Sequence, residues 1–84
     1  MSPTVLDQVR DLAADLFAMP REAITPETSP DNLEQWDSMQ HLNLMLELEM
    51  TFGVKFTAKE QAEMLSIGAV AGTVERKLGR FSVS

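Results

Sequence analysis

The chain has 84 residues, enough for one small domain that buries roughly two thirds of its unfolded surface, so a deep catalytic cleft is not expected. Its content of 44% hydrophobic and 24% charged residues is that of a globular protein and does not indicate disorder along the whole length. Thirteen acidic and seven basic residues give a net charge of -6, the wrong sign for binding nucleic acid or an anionic membrane surface, and this charge favours basic protein partners.

The residue types that are missing exclude further kinds of site. The sequence has no cysteine, which excludes a disulfide framework and a thiolate metal site, and its one histidine, His41, cannot build a zinc site alone. Residues 1–4 do not start a basic region followed by an apolar run, and no stretch approaches the roughly 18 unbroken apolar residues of a membrane span. We therefore expect residues 1–84 to form a single domain that works in the cytoplasm as a monomer.

The first predicted element is a helix from about Thr4 to Ala18. A proline suited to a first turn is followed there by apolar residues at helical spacing: Pro3, Val5, Val9, Leu12 and Leu16. Prolines at 20, 26 and 30 then break any sustained period between Met19 and Trp36. This second stretch is predicted to be a long connecting loop.

Three more helices are predicted from side chains that can cap a helix start. These side chains are Asp37 with Gln40, Thr57 with Glu60, and Ser66. The helices would run over residues 38–52, 58–64 and 66–78, and Val54 to Phe56 would form an extended link without a partner strand. The sequence thus predicts an all-α fold, a small four-helix bundle of three longer helices and one short helix, with the long loop between the first and second helices.

The second predicted helix has two apolar stripes on nearly opposite sides. The inner stripe consists of Leu44, Met45, Leu48 and Phe52, and the outer stripe consists of Met39, Leu42, Leu46 and Met50. Three other short helices can hardly cover both stripes in so small a domain. We expect the outer stripe to face outward, because it begins beside Ser38, and we expect Phe52, Val70 and Val74 to lie in the core.

The start of this helix is the candidate functional site. If Asp37 is the N-cap, Ser38 takes the first helical position, where backbone N–H groups lack partners and the helix dipole favours negative charge. A phosphodiester on the Ser38 hydroxyl would be stabilised there. Asp37 would both cap the helix and present a carboxylate beside the hydroxyl. Serine and aspartate are also common at helix starts for capping alone, so this pair by itself does not define a function.

The wider pattern resembles the acyl carrier protein family. The resemblance is carried by Asp37-Ser38-Met39, Leu42, the run 44–48, Phe52-Gly53-Val54, Phe56 and the run 66–70. It extends from the first helix to Leu78. It implies a non-catalytic carrier in which Ser38 takes a covalent 4'-phosphopantetheine group from coenzyme A and Asp37 is recognised by the transferase.

The resemblance also implies partners. These are a phosphopantetheinyl transferase, a ligase that loads an acyl or aminoacyl group, and downstream pathway enzymes. We expect them to dock on the outer stripe, with Glu47 and Glu49 steering their basic surfaces.

The sequence does not decide between an acyl and an aminoacyl cargo. Glu34-Gln35-Trp36 before the motif, Met39 after it, and Asn43 and Met50 in place of acids differ from many fatty-acid carriers. These differences favour a dedicated fatty-acid-like, polyketide-like or other specialised pathway. Asp-Ser-Met is also similar to the D-alanyl carrier proteins, which makes an aminoacyl carrier the alternative, although residues 57–65 do not resemble theirs.

Two other functions would explain parts of the sequence. Ser38 and His41 lie three residues apart, a spacing that suits a nucleophile and its base on a helix, but no third group is evident to orient His41 and no glycine-rich oxyanion turn follows. We therefore interpret His41 as a surface or partly buried residue. An acidic helical adaptor without a prosthetic group would explain the charge and the helices, but not the carrier pattern around Ser38.

Overall fold

A computed structural model describes residues 4–79 of the chain. The elements are α1 (Val5–Phe17), a short 3₁₀ helix (Arg21–Ala23), α2 (Ser38–Phe52), α3 (Ala58–Glu63) and α4 (Ile67–Leu78). No strand occurs within residues 4–79, which confirms the all-α prediction. Pro3, the expected first-turn proline, lies outside the described residues.

The start of α1 is fixed by a reciprocal cap. The Thr4 hydroxyl accepts a hydrogen bond from the Asp7 backbone at 3.0 Å, and the Asp7 carboxylate accepts one from the Thr4 backbone at 3.4 Å. The helix ends at Ala18, which has a left-handed φ of 56° without being a glycine. The predicted limits, Thr4 and Ala18, are therefore the two capping residues of the observed helix.

The long loop is fastened to the helices on both sides. The Arg10 guanidinium donates to the carbonyl oxygens of Ile24 at 2.6 Å and Arg21 at 3.2 Å. At the other side, the Ile67 and Gly68 N–H groups donate to loop carbonyls, those of Thr28 and Pro26, at 2.9 Å each. The sequence pattern did not predict the 3₁₀ helix, which lies where the Arg10 contacts hold the loop against α1.

The core lies between α1, α2, α4 and the loop. Its fully buried side chains include Val9, Ile24, Leu44, Leu48, Ile67, Val70 and Val74. The core assignment of Val70 and Val74 is thus confirmed. The assignment of Phe52 to the core is wrong, because this ring is only partly buried and packs against the core from outside. Phe52 is the last residue of α2, where the chain turns through Gly53 into a partly exposed link.

The short α3 is held at both ends by side chains. Thr57 and Glu60 form the predicted capping box, and Glu60 also pairs with Lys77 of α4 at 2.8 Å. The helix ends one residue before the predicted limit, and Met64, its C-cap residue, is fully buried. The link before α3 contains no strand, as expected, and is tied back to α2 by Glu49. Within residues 4–79, no helix has the length and apolar character to cross a membrane.

Candidate functional site

The first turn of α2 is built as the sequence predicts. Asp37 has an extended backbone, and its carboxylate accepts a hydrogen bond from the Gln40 N–H at 2.9 Å. Ser38 is the first helical residue and is exposed to solvent. The reciprocal half of the expected capping box does not form. The Gln40 side chain instead donates to the carbonyl oxygen of Leu16 at 3.2 Å and so ties the start of α2 to the end of α1.

An open pocket lies beside Ser38. Its volume is about 600 Å³, and we call it the Ser38 pocket. Its lining is mostly apolar and consists of Pro30, Trp36, Asp37, Ser38, His41, Leu42 and Leu65. The loop, the first turns of α2 and the link between α3 and α4 therefore meet at the candidate site. The position of Leu65 was not predicted, because no periodic pattern relates the α3–α4 link to α2.

His41 joins the elements around this pocket. The indole N–H of Trp36 donates to Nδ1 of His41 at 3.0 Å, so Nδ1 carries no proton. The proton of the neutral ring is then on Nε2, which donates to the carbonyl oxygen of Gln61 at 2.8 Å. His41 is partly buried, as expected. Since both ring nitrogens are bonded to groups other than Ser38, His41 is not arranged as a base for the serine.

The outer stripe is exposed, as predicted. Its side chains have exposed fractions of 71% for Met39, 57% for Leu42, 58% for Leu46 and 78% for Met50. Leu65, at 53%, continues the apolar surface across the mouth of the Ser38 pocket. The inner residues Leu44, Met45 and Leu48 are buried. An apolar surface therefore extends from the candidate site along α2.

The two predicted steering acids lie in different surroundings. Glu47 is exposed and borders a shallow depression with Leu12 and Leu16, on the side of α2 that faces α1. Glu49 is only partly exposed, and one of its oxygens accepts the Phe56 N–H at 2.9 Å. Glu49 thus has a structural role that helical periodicity did not predict, since Phe56 lies beyond the end of the helix.

The start of α2 presents the exposed hydroxyl of Ser38, with an apolar pocket and an apolar helix face beside it. These features are typical of small carrier domains, which present a covalently held group to other proteins. A family model described as the phosphopantetheine attachment site matches residues 7–74 of the chain. The chain therefore belongs to the acyl carrier family of phosphopantetheine-binding proteins.

A solved structure agrees with this assignment. The solution NMR structure of a holo acyl carrier protein from Geobacter metallireducens is 32% identical, with a TM-score of 0.80. The match covers 90% of this chain and 87% of that chain. No curated protein matches this sequence significantly. Members of the family are carriers rather than catalysts, so the interpretation of Ser38 and His41 as a nucleophile and its base is not supported.

The family carries 4'-phosphopantetheine, and the surroundings of Ser38 fit such a group. The hydroxyl is exposed, and the N-terminal end of α2 favours the negative charge of a phosphodiester. The mostly apolar pocket beside it leaves room for the part of an attached group that follows the phosphate.

Proposed function

We propose that this protein carries acyl intermediates on a 4'-phosphopantetheine arm attached to Ser38 and presents them to the enzymes of a dedicated fatty-acid-like, polyketide-like or other specialised pathway. The observation that carries the proposal is the exposed Ser38 at the first position of α2, capped by Asp37, inside the region that matches the family. Residues 1–84 would act as one carrier domain, as a monomer in the cytoplasm.

Each residue at the start of α2 has a part in this proposal. Asp37 keeps the first turn ordered by accepting the Gln40 N–H, so that Ser38 is presented on a fixed helix end. The helix end stabilises a phosphodiester at Ser38 through its unpartnered N–H groups and its dipole. When bound, the arm supplies a thiol that holds its cargo as a thioester, the one thiol on a chain without cysteine.

The lining of the Ser38 pocket favours an acyl cargo. Pro30, Trp36, Leu42 and Leu65 offer apolar surface, which suits a hydrocarbon chain better than a charged ammonium group. An aminoacyl cargo is the second candidate, because the Asp37 carboxylate lines the same pocket and would attract an ammonium group. Loading the holo protein with an acyl ligase and with an aminoacyl ligase would separate the two candidates by mass.

The outer stripe is the proposed docking surface for the transferase and the loading enzyme. Exposed apolar patches of this kind are uncommon on small monomers and mark surfaces that bind other proteins. The stripe begins next to Ser38, so an enzyme docked on it reaches the serine. The exposed Glu47 adds a negative charge at its edge, and Glu49 contributes less because Phe56 occupies one of its oxygens.

The proposal is tested by incubating the unmodified protein with a phosphopantetheinyl transferase, coenzyme A and magnesium. We expect the intact mass to rise by one phosphopantetheinyl group, and we expect Ser38→Ala to accept none. Ser29→Ala and Ser66→Ala are the matched controls and should be modified like the wild type. Modification that persists in Ser38→Ala would show that the group is attached to another residue. A wild type that stays unmodified with several transferases would favour the adaptor without a prosthetic group.

A further inference from the structure

The hydrogen bonds of His41 suggest a property of the site beyond carrying a cargo. Trp36 is 2% exposed, and its ring centroid lies 5.6 Å from that of Phe17 and 5.9 Å from that of His41. The planes of the Trp36 and His41 rings form an angle of 27°, and their bonded nitrogens are 3.0 Å apart. These values fit two rings that meet at their edges through the hydrogen bond rather than rings that overlap face to face.

The contacts of His41 connect the loop, α2 and α3. Trp36 ends the loop and lines the Ser38 pocket, and the Gln61 carbonyl belongs to the last turn of α3. That carbonyl also accepts the Met64 N–H at 3.4 Å, so His41 supplies its shorter hydrogen bond. Neutral His41 therefore connects Trp36, which lines the pocket, to the last turn of α3.

We propose that neutral His41 is a positioning residue that fixes Trp36 beside Ser38, and that protonation of His41 releases Trp36 and makes the shape of the Ser38 pocket depend on pH. The inference extends the proposed function, because the pocket adjoins the proposed attachment site. It concerns the unmodified protein alone, so its test is independent of whether Ser38 carries an arm.

The two hydrogen bonds respond differently to a proton. A protonated imidazole has N–H groups at both nitrogens, so Nδ1 can no longer accept and instead directs a hydrogen at the indole N–H of Trp36. The buried indole then has a donor without an acceptor, and it regains a partner only by moving towards water. Nε2 still donates to Gln61, and its positive charge strengthens that bond. Trp36, at the end of the loop, is thus released while the bond from His41 to α3 remains.

The side chains that line the Ser38 pocket carry few charges, and the charged α3 residues Lys59 and Glu63 are exposed to solvent. Among the residues that line the pocket, Asp37, the N-cap residue of α2, is the other titratable group. On α3, Glu60 is already bonded to Lys77 and to the Thr57 N–H. The loop and the α3–α4 link contribute Pro30, Trp36 and Leu65, which carry no charge. Imidazole takes up its proton between about pH 5 and 8, which is the range to examine.

The test uses NMR, because the chain has one tryptophan and one histidine and both signals are unambiguous. At pH 8 we expect long-range nitrogen–proton spectra to show His41 protonated on Nε2. On titration to pH 5.5, the Trp36 indole N–H resonance should move towards the position of a solvent-exposed indole with the same midpoint as the His41 ring protons. A proton on Nδ1 at pH 8, or an indole resonance that stays constant while His41 titrates, would overturn the proposal.

Two variants serve as controls. In His41→Asn the amide oxygen takes the place of Nδ1 as acceptor and does not titrate, so the indole resonance should keep its bonded position at every pH. His41→Phe retains a ring without an acceptor, so the indole resonance should lie near the position of a solvent-exposed indole at every pH. Circular dichroism checks that both variants are folded. An indole resonance in folded His41→Asn that follows pH as in the wild type would also contradict the proposal.

Discussion

Glu49 accepts a hydrogen bond from the backbone N–H of Phe56, with 2.9 Å between the carboxylate oxygen and the nitrogen. This contact fastens the link after α2 back onto the last turns of the helix, at a place where the Phe56 N–H has no helical partner. An acid on the second helix, expected to steer partners, thus also holds the fold together.

Substitution of Glu49 tests its contribution to the stability of the fold. Glu49→Ala should lower the free energy of unfolding by about 1 to 2 kcal/mol, because a partly buried N–H loses a charged acceptor. Glu49→Gln keeps an acceptor oxygen and should lose clearly less stability. Urea unfolding measures both, with Glu47→Gln as the exposed control. Equal stability of Glu49→Ala and wild type would mean that the hydrogen bond contributes nothing.

The proposed role of the outer stripe as a docking surface is tested by Leu46→Glu. Leu46 is 58% exposed, so the substitution should leave the thermal midpoint nearly unchanged. A charge in the middle of the outer stripe should reduce the rate of modification by the transferase about tenfold, which corresponds to about 1.4 kcal/mol of docking energy. Thr51→Glu adds the same charge on the polar side of α2 and should be modified like the wild type. Full activity of a folded Leu46→Glu would count against the outer stripe.

The partial burial of Phe52 changes the expected effect of its removal. Leu48 is fully buried, and Leu48→Ala should cost roughly 2 to 5 kcal/mol. Phe52→Ala should cost less than the roughly 3 to 5 kcal/mol of a buried phenylalanine, because part of its ring already contacts water. Denaturant midpoints of the two variants make the comparison. A larger loss of stability in Phe52→Ala than in Leu48→Ala would show that Phe52 contributes as a core residue.

The pair between Glu60 and Lys77 predicts a pH dependence. The hydrogen bond from Lys77, followed by that from the Thr57 N–H, holds the pKa of Glu60 below its ordinary value of 4.5. A carboxyl whose pKa is lowered by folding stabilises the native state above its unfolded pKa, and this contribution disappears as the pH falls through the folded pKa. Glu60→Gln should therefore be less stable than the wild type at pH 7 and equal to it at strongly acidic pH.

The measurement is the thermal midpoint of both proteins as a function of pH. Added salt should reduce the difference in thermal midpoint between the wild type and Glu60→Gln at pH 7, because the Glu60–Lys77 pair lies at the surface. A difference that persists unchanged at strongly acidic pH would show that the Glu60 substitution acts by another route than the loss of charge.

The limits and faces of the helices could be predicted because their causes are local. Asp37, Thr57 and Ser66 cap the three later helices through contacts three residues along the chain. The two opposite stripes of α2 followed from the angular positions of their residues, and the position of the outer stripe beside Ser38 indicated that it is the exposed one. The partial exposure of Phe52 could not be predicted in this way. Periodicity gives the angle of a residue on a helix but not how far the neighbouring elements extend along that helix.

The contacts that shape the site could not be predicted in this way. His41 and Gln61 are 20 residues apart, and Arg10 and Ile24 are 14 apart, so no periodic pattern relates them. Each of these bonds ends on a backbone carbonyl, whose availability depends on tertiary packing rather than on the identity of its residue. The sequence therefore predicted where Ser38 lies, but not that His41 joins Trp36 to α3 beside it.

The anchoring of the loop has a consequence for the energetics of recognition. Because the carbonyls of Pro26 and Thr28 accept the first N–H groups of α4, and Arg10 holds Ile24, these parts of the loop are ordered before any enzyme arrives. A partner that contacts this side of Ser38 meets a preorganised surface and does not have to order it. The entropy of ordering this segment is thus lost once, in folding, and not again each time the carrier passes from one enzyme to the next.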